Sequence, residues 1–286
     1  YEPPMLLNLL KNEKVTFSHC VPTILHMLLS SPAIKEVDLN GWKVIIGGSL
    51  LPKALCKAAM GLGIDIFAGY GMSETCPILT LAQLGPEMTG LGIDEEVAIR
   101  CKTGKPIPLV DLRIVDPEMR DTDSDAGATG EIVVRAPWLT QGYLKDPEGS
   151  KQLWAGGYLH TSDVASRDEK GYVQISDRIK DVIKTGGEWV SSLALEDIIA
   201  QHPSVGETAV IGRPDDKWGE RPMALIVAKP GATVSEEEIR AHVKDYASRG
   251  VISKFGVPEK ILFVTAIEKT SVGKLDKKLL RQKYAQ

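Results

Sequence analysis

The run Ile175-Ser176-Asp177-Arg178-Ile179-Lys180-Asp181-Val182-Ile183-Lys184-Thr185-Gly186-Gly187-Glu188-Trp189 decides how the rest of this sequence is read. Its first ten residues carry five charges, and Ile175, Ile179 and Ile183 fall on one face of an alternating strand. Alternation leaves Gly186-Gly187 unexplained, a pair suited to a backbone with positive φ or to something passing close by. Arg178 offers a planar fork of donors that fits ribose hydroxyls, phosphate or carboxylate. A solvated hairpin turning at Gly186-Gly187 accounts for the same residues without any chemistry. Two distant segments carry groups suited to the same ligands.

On the N-terminal side, residues 5–10 and 22–29 place apolar residues at helical spacing, and residues 15–17, 43–46 and 64–67 are short β-branched runs. Strand-then-helix repetition predicts a parallel sheet with helices on its faces, an α/β layer over residues 1–84. Two of its strands run into polar, glycine-containing loops, Gly47-Gly48-Ser49 and Gly69-Tyr70-Gly71-Met72-Ser73-Glu74. Ligands of open α/β sheets bind beyond the carboxyl ends of the strands. Residues 85–177 read as a small β-subdomain: strand-like pieces at 109–115, 131–135 and 172–175, separated by Pro, Gly and Asp clusters, with no helical run. The acidic residues 116–125 read as a solvated loop. Residues 180–286 predict a separate compact α+β domain, with a helix at 235–246 capped by the Ser235/Glu238 box and a final helix at 275–283.

With 286 residues, 43% hydrophobic and 25% charged, the chain is globular and long enough for one large or two ordinary domains. A net charge of -4 argues against nucleic acid as a partner. No apolar run spans a bilayer and no signal peptide is visible. Cys20, Cys56, Cys76 and Cys101 form no C-x-x-C pair, which argues against zinc or a disulfide framework and points to a cytoplasmic setting. The opening Tyr1-Glu2-Pro3-Pro4 reads as an entry in mid-chain, so the sequence is expected to be a piece of something longer.

Three segments carry candidate chemistry. Tyr70, flanked by glycines at a strand end, can lay its ring against a flat base; Ser73 can donate to a phosphate oxygen, and Glu74 is a hard-oxygen ligand for Mg²⁺. A β-turn entering a helix explains that loop equally well. Asp163, between two strand-like runs, can accept both hydroxyls of a ribose, whereas Asp168 is better read as a turn aspartate and His160 as structural. Lys274, after Gly273 at a loop tip, can reach outward as a mobile point charge; at a helix start it would meet the wrong end of the macrodipole.

In this order and spacing the segments resemble the adenylate-forming superfamily of acyl-CoA synthetases, peptide-synthetase adenylation domains and luciferases. The stretches Gly186-Gly187-Glu188-Trp189-Val190-Ser191-Ser192 and Lys217-Trp218-Gly219-Glu220-Arg221-Pro222 look most like medium- to long-chain fatty acyl-CoA synthetases. The resemblance covers nearly the whole chain and implies ATP, Mg²⁺ and coenzyme A as cofactors. It implies that Gly47, Gly48, Ser49 and Tyr70 sandwich adenine, that Gly69 and Gly71 help bind the nucleotide, that Ser73 meets the α-phosphate and that Glu74 holds the metal. Asp163 would bind the ribose hydroxyls, with Arg178 beside it and Trp189 packing near the nucleotide. Lys180 would be the hinge of a mobile C-terminal lid over residues 180–286, Lys274 the adenylation lysine, and Gly186 and Gly187 part of the pantetheine tunnel. Residues 1–179 would be the C-terminal part of the large AMP-binding domain. The family's phosphate loop and the motif shaping its acyl pocket are absent, so this piece by itself is expected to be inactive. Departures are Ser73 for threonine, Ser162 and Asp177 for glycine, and Glu268-Lys269 for Pro-Arg. Two other readings are an adenylating enzyme that loads a carrier protein and a non-catalytic nucleotide-binding or interaction module; a homodimer is left open.

Overall fold

The computed structural model describes residues 2–88, 90–122, 128–270 and 275–285. The chain forms two compact units, Tyr1–Thr161 with Ala165–Ile175, and Ser162–Val164 with Ser176–Gln286.

The first unit opens with α1 (Pro3–Asn12), β1 (Phe17–Cys20), α2 (Pro22–Leu29), β2 (Lys43–Ile46), α3 (Lys53–Met60) and β3 (Asp65–Gly71). It continues with β4 (Ile78–Leu81), α4 (Ile93–Arg100) and β5 (Lys105–Pro106). The sheet order is β1-β2-β3-β4-β5. The first three strands are parallel, as the alternation of strand and helix predicts, and β4 and β5 join antiparallel. Every step of the parallel part moves in one direction, so right-handed crossovers stack the helices on one face. Leu7, Leu25, Leu28, Val44, Ile46 and Ile66 fill that interface at 0–4% exposure. Each such burial contributes roughly 1.5–3 kcal/mol relative to an exposed side chain.

Next come β6 (Asp111–Val115), β7 (Gly130–Arg135), α5 (Pro147–Leu153), β8 (Leu159–Arg167) and β9 (Val173–Arg178), the strands forming a sheet in that order. The reading of residues 85–177 as free of helix is corrected here by α4 and α5. Both begin on local capping. The Glu95 carboxylate accepts from the Gly92 amide at 3.1 Å, with Asp94, Glu95 and Glu96 in the first turn of α4. Asp146 caps α5, accepting from Gly149 at 2.9 Å, with Pro147 at the first helical position. Two further corrections concern strand limits. β1 starts at Phe17 rather than residue 15, and Asp163 lies inside β8 rather than between strands.

The second unit contains β10 (Ile183–Thr185), β11 (Glu188–Val190), α6 (Ser192–Ala200), β12 (Val205–Asp215), β13 (Gly219–Ala228), α7 (Glu236–Ser248), β14 (Lys260–Phe263) and α8 (Lys277–Tyr284). β12 and β13 pair along their length, while β14 runs parallel to β13 and β10 meets it at Gly219. Alternate residues of β12 and β13 feed two cores. Val210, Ala224 and Ile226 pack with Leu195, Ile198, Ile239 and Val243, whereas Ala209, Ile211, Met223 and Leu225 pack with Ile267 and Leu280. A strand covered on both faces must be apolar throughout, which is why residues 223–228 read as one unbroken apolar run. The Ser235/Glu238 box caps α7, each side chain bonding the other's amide at 3.2 and 2.8 Å.

Residues 175–183 do not form a single strand. β9 ends at Arg178, and a turn closes where the amides of Asp181 and Val182 both donate to the Arg178 carbonyl at 2.8 Å. Among the described residues, no helix is long and apolar enough to cross a membrane, and all four cysteines are free.

Candidate functional site

In the first unit two loops leave neighbouring parallel strands at their carboxyl ends. β2 ends at Ile46, paired with Ala68 of β3, so Gly47 leaves the sheet beside Gly69, whose carbonyl oxygen lies 3.5 Å from where a Gly47 Cβ would stand. Gly47 is buried, whereas Gly48 and Ser49 are exposed. Packing accounts for several of these glycines. A Cβ on Gly47 would fall 2.8 Å from His19 Nε2, one on Gly69 2.7 Å from Ile45 Cγ2, and one on Gly71 only 1.6 Å from the Pro77 carbonyl oxygen. Gly48 adopts φ +80°, which L side chains rarely take. Tyr70 is half-buried and packs on the core between the sheets rather than standing free.

Beyond β3, a single 3₁₀ turn, Ser73–Thr75, exposes Ser73 and half-buries Glu74. Thr75 holds the turn from inside: its hydroxyl accepts from the Met72 amide at 2.9 Å and donates to the Pro77 carbonyl at 2.5 Å. The Glu74 carboxylate accepts from the Tyr143 hydroxyl at 2.8 Å, and its carbonyl accepts from the Thr140 amide at 2.9 Å. Burial first, then the Glu74 carboxylate, raises the Tyr143 phenol above its ordinary value of 10.0. Among the described residues no group of three or more His, Cys, Asp or Glu side chains could hold a metal ion. One carboxylate at a loop tip suits Mg²⁺ that arrives on nucleotide phosphates rather than a resident cage.

The second unit brings Asp163 and Arg178 together. Asp163 is 5% exposed, and Arg178 Nε lies 3.2 Å from its Oδ1. Ser162, where glycine would be easiest, adopts φ 59° inside β8, and its carbonyl accepts from the Ile179 amide at 2.9 Å. Lys180 is exposed in the turn after β9. Asp177, noted above only for replacing a glycine, is 1% exposed. Its Oδ2 accepts from the Ser192 amide and hydroxyl at 2.5 and 2.6 Å, and its Oδ1 from the Arg178 amide at 2.8 Å. Lys277 Nζ in turn donates to Ser192 Oγ at 2.6 Å and pairs with Glu196 Oε1 at 2.8 Å. Arg281 meets Asp181 at 2.8 Å. Both sides of the Lys180 turn are thus tied to α6 and α8.

Gly186 and Gly187 form the two-residue link of the β10–β11 hairpin, with φ +59° and +83°. Positive φ at both central residues is what a type I′ hairpin demands. Trp189 is 47% exposed, with Lys184 Nζ 5.4 Å from its ring centroid. Lys274 lies outside the described residues. His160 is held by Glu131 at 2.9 Å, and Asp168 accepts from the Tyr172 amide at 2.8 Å, the structural parts read for both. Tyr143 escaped sequence reasoning; its signal was the Asp146-Pro147 cap just beyond it, which marks an ordered loop.

Residues 1–144 match the AMP-binding enzyme family, and residues 194–274 match the AMP-binding enzyme C-terminal domain. A long-chain-fatty-acid–CoA ligase of Thermus thermophilus is 37% identical over 99% of this chain and 52% of its own length. The amide bond synthetase McbA from Marinactinospora thermotolerans superposes with a TM-score of 0.82 at 30% identity, over 99% of this chain and 56% of that one. ATP-bound MatB from Rhodopseudomonas palustris superposes at 0.80 with 29% identity, over 100% and 54%. The chain spans about half the length of the curated relatives it matches.

Proposed function

Because the chain belongs to the AMP-binding enzyme family, we propose that it serves an adenylating acyl–CoA ligase. A carboxylate attacks the α-phosphate of ATP and pyrophosphate leaves; the thiol of coenzyme A then attacks the acyl-adenylate carbonyl, forming the thioester and releasing AMP and the thiol's proton. The observation that carries this reading is that β2 and β3 are neighbouring parallel strands, each running at its carboxyl end into a glycine-containing loop, the second of which leads to Ser73 and Glu74. That is where open α/β sheets take ligands. The likeness to CoA ligases supports the reaction class, and within the medium- to long-chain range the Thermus relative supports a long-chain fatty acid as substrate.

In this reading Tyr70 and the loop glycines take adenine, with Trp189 packing near the nucleotide. Ser73 donates to the α-phosphate, and Asp163, released from Arg178, accepts the ribose hydroxyls. Glu74 would hold magnesium that arrives with ATP, and the ion would supply charge neutralisation at the phosphates. Lys274 supplies a positive charge to the oxygens that gain charge during adenylation. The unit beyond Lys180 rotates about that residue between half-reactions, bringing the Gly186-Gly187 turn to the thiol's path. In a full-length enzyme, Lys274→Ala is expected to lower adenylation about a hundredfold or more while sparing thioester formation from supplied acyl-adenylate. Equal loss of both half-reactions would count against the assignment.

A second reading keeps the adenylate and changes the acceptor to an amine, favoured by the likeness to McbA. Supplying acyl-adenylate with coenzyme A and an amine in competition separates the two by the product formed.

A further inference from the structure

Tyr143 reaches across 69 residues of sequence to donate to Glu74 Oε1 at 2.8 Å, while Thr140 N donates to the Glu74 carbonyl at 2.9 Å. One short segment therefore grips Glu74 by both backbone and side chain. The segment is itself anchored. Trp154 Nε1 donates to the Thr140 carbonyl at 3.1 Å, and the Tyr143 amide donates to Ser150 Oγ at 2.8 Å. A Cβ at Gly142 would stand 2.6 Å from Ser150 Oγ, so the loop and α5 meet without slack.

Packing is not the main part Tyr143 plays, since its side chain is among the exposed large apolar ones at 42%. Its hydroxyl meets a carboxylate, and hydrogen bonds to charged groups are the stronger kind. A neutral donor on Oε1 orients the group while leaving the negative charge and Oε2 for a further ligand. We propose that Tyr143 is a positioning residue that fixes the Glu74 carboxylate toward magnesium-bound ATP. The proposal rests on the reading of Glu74 given above.

The test is a double-mutant cycle in a full-length enzyme with Tyr143→Phe, Glu74→Ala and both together. Its readouts are the affinity for magnesium–ATP by calorimetry, the Mg²⁺ needed for half-maximal adenylation, and KM for the carboxylate. Tyr143→Phe is expected to weaken magnesium–ATP binding and raise the Mg²⁺ requirement about three- to tenfold. The carboxylate KM should stay unchanged, and Tyr143→Phe should add nothing on the Glu74→Ala background. The same loss on both backgrounds would make Tyr143 merely structural and overturn the proposal. So would an unchanged Tyr143→Phe enzyme when Glu74→Ala alone raises the Mg²⁺ requirement. If Glu74→Ala leaves that requirement untouched, the reading of Glu74 itself fails and takes the proposal with it.

Discussion

Glu196 and Lys277 carry a charge pair at 11% and 9% side-chain exposure, where solvent screens little. Burial raises the Glu196 carboxyl above its ordinary 4.5, and Lys277 works against that rise. Lys277→Met is expected to destabilise the second unit by about 3–5 kcal/mol at neutral pH, the usual result of stranding a buried charge. The sign with pH follows from the raised value. A protonated Glu196 needs no partner, so the deficit grows as pH climbs through the folded pKa, above 4.5, and shrinks below it. Urea unfolding at about pH 5 and about pH 8 checks this, and equal deficits at both would contradict it. At this scale the sequence singles out groups recognisable from their immediate neighbours, such as Ser73 and Glu74 after a glycine-flanked tyrosine, whose roles stay proposals. It hid Tyr143 and Asp177, because their partners lie 69 and 15 residues away and only the fold brings them together.

The β10–β11 hairpin shows what a short element asks of its turn. Gly187 at φ +83° has no heavy atom within 4 Å of a built Cβ, so Gly187→Ala is strained by backbone conformation alone, at about 1–2 kcal/mol. Gly186→Ala adds a contact 3.0 Å from the Trp218 ring and is expected to cost more. Gly187→Asn should be milder than Gly187→Ala, since asparagine tolerates the left-handed region. Denaturant midpoints of the three variants order them; a Gly187→Ala protein as stable as the parent would contradict the turn type. Residue types and spacing made this hairpin legible, as they did the Ser235 cap, where Ser235→Ala is expected to cost about 1 kcal/mol. Helices α4 and α5 were not legible from periodicity, being 8 and 7 residues long and set among turn residues. Their caps, at Gly92/Glu95 and Asp146-Pro147, were the better signal.

Across the whole chain, the α/β layer, the second sheet and the α+β unit follow from where apolar runs alternate and where they are continuous. Residues 223–226 are buried between two cores, and residues 85–177 mix strands with helices because α4 and β5 complete the first sheet layer. Gly47, Tyr70, Ser73 and Glu74 lie in one unit, and Asp163 and Arg178 in the other. The proposed function has all six serve one nucleotide. Asp163, at 5% exposure beneath Arg178, must open to a ribose for that to hold. A crystal structure of a full-length enzyme with a non-hydrolysable acyl-adenylate analogue tests it directly. The expected result has both ribose hydroxyls on the Asp163 carboxylate, the Tyr70 ring against adenine, and Ser73 at the phosphate position. An analogue bound elsewhere, with Asp163 still closed under Arg178, would contradict the account.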